Sequence, residues 1–214
     1  AAAAEYGPAC PACEGRLRSM ELTEEELKLM CAQIEGLAAA HGQAHADRFK
    51  DFQNWLQRNG PPDVVIDGAN VGYHNLRPEK GEALSYHQVD RVLQHFEGQG
   101  LKTLVVMHMR HFLPNAPMSG ADREMTDRWR ERKALYSTPA KMNDDWFWLF
   151  AGVWTTLRKG RVYMVSNDQM RDHHFQMLSA RRFLKWRERH WVNFHLDGRN
   201  PRARPAFALP TAYS

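Results

Sequence analysis

Apolar positions along this chain follow two rhythms, one of period near 3.6 and one of short unbroken runs. From Leu22 to Ala40 the residues Leu27, Met30, Cys31, Ile34 and Leu37 recur at helical spacing, behind Thr23 as N-cap and Glu26 three residues on. Ala46 to Arg58 repeats that rhythm through Phe49, Phe52, Trp55 and Leu56, and Asn59-Gly60-Pro61 stops it. The pattern then changes. Val64, Val65 and Ile66 form a continuous β-branched run after Gly60-Pro61-Pro62, which predicts a strand buried on both faces at the centre of a sheet. Leu84 to Glu97 predicts a helix and Leu101 to Met109 the next buried strand, an order expected to make a right-handed βαβ unit. His111 to Arg132 shows no clear period and is expected as a long loop or irregular helix over one edge. Leu135 to Ser137 reads as a short strand, Trp146 to Leu157 as an aromatic helix with Asn143 as N-cap, and Arg161 to Ser166 as a further buried strand. Ser179 to His190 is a basic amphipathic segment and Trp191 to Leu196 alternates as a strand, while Asp197 to Ser214 is expected to run back over the surface. The fold class predicted is α/β, with a parallel sheet flanked by helices.

A chain of 214 residues suffices for one good core and a smaller appendage. No apolar run approaches the roughly 18 residues of a membrane span. Charge is unevenly spread: Glu5 to Asp51 holds five basic and nine acidic residues, Arg158 to Arg204 twelve basic and four acidic. The basic third, interleaved with Phe183, Trp186, Trp191 and Phe194, suits a phosphate-backbone partner, with a solvated helix face as the alternative. Three cysteines make no disulfide framework and fit a reducing, intracellular compartment; the N-terminal AAAAEYG carries neither a signal-peptide nor a transit-peptide pattern.

Candidate chemistry gathers at strand ends. Asp67 follows the Val64–Ile66 run directly, with Gly68 and Gly72 expected to permit a sharp turn and Asn70 to satisfy turn amides or hold Asp67. Asp168 stands in the same relation to the Arg161–Ser166 strand, and Asp172 lies one helical turn beyond. Asp144 and Asp145 fall in the first turn of the aromatic helix, where carboxylates are also common for helix stability alone. In an open α/β sheet these positions converge at the carboxyl edge. Clustered carboxylates without buried cations favour bound Mg²⁺ (or Mn²⁺), and beside a basic surface that is the layout of a metal-dependent phosphodiesterase: one ion of a pair activates water, and both neutralise the phosphorane. An aspartyl phosphatase would need Asp-x-Asp, but Ala69 occupies the third position, and neither GxGxxG nor GxxxxGK[ST] occurs. Cys10 and Cys13 form a CPAC knuckle that supplies half of a zinc site. Cys31, on a helical apolar face, reads as a core residue, and His190 and His195 stand as further candidates to complete the zinc.

The combination VVIDGANVGY, NDDWFWLF, VSNDQMRDHHF and FLKWRERH resembles the metallonuclease domain of protein-only RNase P, of the NYN/PIN-like fold. CPAC and the helices before Pro61 resemble that family's central zinc-binding region, so the likeness covers most of the chain. It implies a small zinc-binding appendage (residues 1–60), a nuclease domain (61–190) and a return toward the zinc-binding region (191–214). It implies further that Asp67, Asp144, Asp145 and Asp168 carry two Mg²⁺ ions, with Asp172 as outer ligand or water-positioning residue and His173 in a structural or phosphate-contact role. Arg171, Arg181, Arg182 and Lys185 are expected to contact the RNA backbone. The substrate implied is precursor tRNA, cut to leave a 5′ phosphate on the tRNA and a 3′ hydroxyl on the leader. In the family, pentatricopeptide repeats precede the CxxC, and a His and a Cys beyond a stretch like Pro210 to Ser214 complete a structural Zn²⁺ site; this chain is therefore expected to be a fragment. Two other expectations remain: a PIN-like endonuclease of single-stranded or messenger RNA, and a non-catalytic RNA-binding module.

Overall fold

The computed structural model describes residues 6–9, 13, 16–18, 21–170, 180–197, 200 and 203–210. Strands β1 (Tyr6–Ala9) and β2 (Arg16–Arg18) pair antiparallel as a separate two-stranded sheet. The remaining strands are β3 (Val64–Asp67), β4 (Thr103–His108), β5 (Leu135–Thr138), β6 (Tyr163–Val165), β7 (Trp191–His195) and β8 (Ala206–Ala208). They form one sheet in the order β5-β4-β3-β6-β7-β8, parallel except for β8, which runs antiparallel to β7. All four residues of β3 are buried, as its β-branched run predicts. The chain steps outward from β3 to β4 and β5, then returns to place β6 on the other side of β3. That reversal puts a topological switch point, where α/β sheets open a crevice, at the carboxyl ends of β3 and β6.

Strand residues alternate between two faces, and each face is covered by its own helices. One layer holds α1 (Glu24–Ala39), α2 (Gln43–Asn59), α6 (Asp144–Lys159) and α7 (Ala180–His190), whose Ile34, Phe52, Phe147 and Trp186 join Val65, Leu104, Val106 and Met164 in a single core. The other holds α3 (Gly68–Gly72), α4 (Tyr86–Glu97) and α5 (Gly120–Glu131), with Val71, Leu93 and Trp129 against Val64, Ile66, Val105 and Val165. Thr23 and Glu26 form the expected capping box at α1, with amide-to-side-chain distances of 3.2 and 3.0 Å. Helix α6 is buried continuously from Trp146 to Thr156, because α1 covers its outer side while the sheet covers its inner one. A Cβ at Gly152 would meet the Met164 thioether at 2.4 Å and the Trp186 ring at 3.0 Å, so a side chain there would require Met164 to move where α6 packs on β6 and α7.

Three expectations need correction. The aperiodic stretch after His111 contains a regular helix, α5, started by a Ser119/Asp122 capping box and held by Trp129, whose Nε1 donates to Asp90 on α4 at 2.7 Å. Its buried face holds only Thr126 and Trp129, with Met125 partly buried, so few apolar positions mark a period. The C-terminal segment does not merely cross the surface, since 206–208 is the edge strand β8. Phe183, Trp186, Trp191 and Phe194 are buried in the two cores, so the aromatics of the basic third are packing residues and offer no stacking platform. Among the described residues no helix is long and apolar enough to cross a membrane.

His190, 3 % exposed, closes α7 against β6, with its Nδ1 3.0 Å from the Val162 carbonyl. Val162 N also lies 3.4 Å from the same nitrogen, but the shorter contact fixes Nδ1–H as the donor. Burial holds the imidazole down at about 4. A depressed folded-state value means that the unfolded chain takes up the proton first. His190 therefore contributes stability above the ordinary histidine range near pH 6.5 that is lost as pH falls toward 4, by up to roughly 3 kcal/mol. Denaturant titrations at pH 7 and pH 4 are expected to show the parent losing about 2–3 kcal/mol more than His190→Gln, with other acid-titrating groups cancelling in the difference.

Candidate active site

Asp67 ends β3 and at once caps α3, its Oδ1 accepting the Asn70 amide at 3.0 Å and its Oδ2 the Ser166 hydroxyl at 3.0 Å. The turn is tight for a steric reason. A Cβ on Gly68 would lie 2.6 Å from Met107 Cε and 2.8 Å from Val105 Cγ1, and one on Gly72 would lie 2.7 Å from Leu84 Cγ. Neither glycine has a positive φ, so what they supply is close approach, where the sequence suggested conformational freedom. Asn70 likewise acts across the site: its Oδ1 accepts the Asn167 amide at 2.8 Å and so ties the β3 turn to the β6 turn.

The β6 turn is built to match. Asn167 Oδ1 accepts the Phe194 amide at 3.0 Å while its Nδ2 donates to the Phe194 carbonyl at 2.8 Å, clamping the turn to β7. Ser166 Oγ accepts the Asp168 amide at 3.0 Å, and Asp168 Oδ1 accepts at 2.8 Å the amide of Met170, which has a φ of 53°. Opposite, Asn143 caps α6 through the Asp145 amide at 3.0 Å, and Trp148 Nε1 donates to Asp145 Oδ1 at 3.2 Å. Asp67, Asp144, Asp145 and Asp168 all line one open cleft of about 410 Å³, together with Asn70, Asn167, Tyr73, His74 and Arg110. The convergence expected of two strand-end aspartates and one acidic helix start is thus present in the fold.

Electrostatics in the cleft are unfavourable to the bare carboxylates. Burial first, then the charges of Asp145 and Asp144, push Asp67 up to about 8 despite the Asn70 amide and the Ser166 hydroxyl. Burial, then Asp144, and more weakly Asp168, push Asp145 up to about 6. Among the described residues none of the four aspartates has an ion-pair partner within 4.0 Å. Nor do any three His, Cys, Asp or Glu side chains there close into a metal cage. An open set of hard oxygen donors with uncompensated charge fits Mg²⁺, which retains several waters and binds through a few carboxylates, better than a metal that needs a complete protein cage.

The other candidate residues fall elsewhere. Arg171, Asp172 and His173 lie outside the described residues, as does Cys10; Cys13 is exposed between β1 and β2. Cys31 packs against the α1–α6 core, and burial pushes its thiol up to about 12, which suits a core thiol and not a thiolate ligand. On α7, Arg181 is exposed, Arg182 pairs with Glu26 of α1 at 3.5 Å, and Lys185 is half-buried; none of the three lines the cleft. Sequence reasoning missed the roles of Ser166 and Asn167 and the presence of Arg110 in the cleft. Ser166 and Asn167 stand directly before Asp168, but their partners come from β3, α3 and β7 and have no signature in the linear order.

Comparisons with known proteins bear on the family and the fold. The profile of the family described as protein-only RNase P matches residues 5–214. "Proteinaceous RNase P 1, chloroplastic/mitochondrial" of Arabidopsis thaliana is 32 % identical over 206 residues, which is 94 % of this chain and 34 % of that protein. "Mitochondrial ribonuclease P catalytic subunit" of Mus musculus is 26 % identical over 85 % of this chain and 30 % of its own length. The crystal structure of nuclear proteinaceous RNase P 2 from A. thaliana superposes with a TM-score of 0.77 at 28 % identity, over 97 % of this chain and 41 % of the other. The chain spans about a third of the curated relatives it matches. With a profile match from residue 5 to the last and a shared α/β architecture, the chain belongs to the protein-only RNase P family.

Proposed function

We propose that the aspartate cleft is the active site of a divalent-metal-dependent endoribonuclease that removes the 5′ leader of precursor tRNA, leaving a 5′ phosphate on the tRNA and a 3′ hydroxyl on the leader. The observation that carries this reading is the convergence of Asp67, Asp144, Asp145 and Asp168 on one open cleft at the sheet's switch point, with no cation of the described chain paired to them. These four would hold two Mg²⁺ (or Mn²⁺) ions, which supply a lowered pKa for the attacking water and neutralise charge on the phosphate. The protein's own part is orientation. Ser166 and the Asn70 amide fix both oxygens of Asp67, Trp148 fixes one of Asp145, and the Met170 amide fixes one of Asp168, so each keeps a defined direction when the substrate enters.

Around that centre, Asp172 is assigned as outer ligand or water-positioning residue, and Arg171, Arg181, Arg182 and Lys185 as RNA-backbone contacts. Of these, Arg182 would have to exchange Glu26 for phosphate. Cys10 and Cys13 are assigned to a structural Zn²⁺ in the 1–60 region, the nuclease unit to 61–190, and residues 191–214 to the return toward the zinc-binding region. The reading is tested by offering a 5′-labelled precursor tRNA and an unstructured RNA of equal length. A single cut at the leader junction, with a 5′ phosphate on the tRNA product, is expected; preferred cutting of the unstructured strand would replace it with the single-stranded RNA reading.

A further inference from the structure

Arg110 is the one cation among the described residues lining the aspartate cleft, and it is exposed. It follows the carboxyl end of β4, next to β3 in the sheet, which places it beside the Asp67 turn. An arginine lining the same cleft as four carboxylates could be drawn into an ion pair with one of them, yet no ion pair to it forms among the described residues. Its Nε instead donates to Nε2 of His111 at 3.1 Å, and its amide donates to Nδ1 of His108 at 3.0 Å. His111 is 7 % exposed, and its backbone carbonyl accepts the Tyr86 hydroxyl of α4, so the imidazole is set by the packed layer and not by solvent. Burial, with the neighbouring Arg110 charge and His108, pushes His111 down to about 4, which keeps it a neutral acceptor under ordinary conditions. With Nε occupied, the two terminal nitrogens of the guanidinium remain, in the planar fork that matches phosphate oxygens.

We infer that Arg110 is a substrate-binding residue that grips a phosphodiester adjacent to the scissile one, and that His111 is a positioning residue that aims the guanidinium. The inference rests on the proposed nuclease reading and names a substrate contact within the same cleft. A neutral imidazole suits this purpose because a carboxylate in its place would orient the arginine but cancel the charge that the phosphate needs.

The test is single-turnover cleavage of precursor tRNA, with enzyme in excess, by the parent chain, Arg110→Ala, Arg110→Lys, His111→Phe and His111→Gln, each first checked for an unchanged melting transition. Arg110→Ala is expected to lose roughly 10- to 100-fold in kcat/KM, mainly through KM, and Arg110→Lys to recover only part of that. His111→Phe is expected to lose several-fold, and His111→Gln, whose side-chain oxygen can accept from Nε, to be largely restored. Substrates carrying one neutral methylphosphonate linkage at successive positions flanking the cleavage site give the decisive comparison. At the linkage that Arg110 grips, parent and Arg110→Ala should cleave equally slowly. A parent that cleaves while Arg110→Ala matches it on the natural substrate, or is impaired by the same factor at every neutral linkage, would overturn the inference alone. A parent that does not cleave precursor tRNA with Mg²⁺ would overturn the nuclease reading and this inference with it.

Discussion

Asp67→Asn is expected to abolish cleavage, by a factor on the order of 10³ or more, while leaving the metal-free fold as stable as the parent to within about 1 kcal/mol. The first half follows from position. Asp67 stands at the end of the central strand, faces Asp144, Asp145 and Asp168 across the cleft, and is the most deeply buried of the four carboxylates. Replacing its charge with an amide removes a metal-ligating oxygen where positive charge must be held. The second half follows from the same burial. An asparagine is nearly isosteric, can still accept the Asn70 amide, and turns its NH₂ toward Ser166 Oγ, while the cost of desolvating an anion among other anions disappears. Measured cleavage rates and thermal melts of the two proteins check both halves. Activity within tenfold of the parent would remove Asp67 from the site, and a melting point lowered by many degrees would make the residue structural first.

Phe147→Ala is expected to cost about 3–5 kcal/mol of stability and to lower the melting point by roughly 6–20 °C. The ring is fully buried at the junction of three elements, with centroids 5.2 and 5.1 Å from Phe49 and Phe52 of α2 and 6.0 Å from Tyr136 of β5. Removing it leaves a cavity that α2 and the sheet cannot both close at once. Leu29→Ala on the outer face of α1, 43 % exposed, provides the comparison and should stay within about 0.5 kcal/mol. Because Phe147 lies less than one turn beyond Asp145 on α6, the same variant also probes how the helix supports the site. Well below its transition it should retain cleavage, since Asn143 and Trp148 still fix the first turn.

How much of this was legible in the sequence depended on how local the cause was. The continuous β-branched run of β3, the Thr23/Glu26 cap of α1 and the Asn143 cap of α6 are set by neighbours within a few residues, and each stands in the structure where the pattern places it. The four aspartates were readable because strand ends and helix starts in an α/β sheet share an edge. What did not show was non-local. Helix α5 is held by few buried residues, chiefly Trp129 with its bond to Asp90, and β8 exists because β7 offers it an edge. Gly68 and Gly72 suggested a turn, but their function is to admit Met107, Val105 and Leu84, which are distant in sequence. Aromatics within a basic stretch suggested an RNA surface, but the amphipathic face of α7 turns Phe183 and Trp186 into the core and leaves the charges outside. Asn70 could be read as serving its own turn, yet it holds the opposite one.

The measurement that bears most directly on the acidic cleft as a metal-dependent nuclease site is cleavage of a 5′-labelled precursor tRNA by this chain with Mg²⁺, with EDTA, and by Asp144→Asn with Mg²⁺. Asp144 is the test residue because it sits half-exposed in the first turn of α6, where an amide is tolerated structurally. One cut at the mature 5′ end in Mg²⁺, absent with EDTA and absent in the variant, is the predicted result. Equal cleavage with EDTA, or near-parent turnover by Asp144→Asn, would contradict the account.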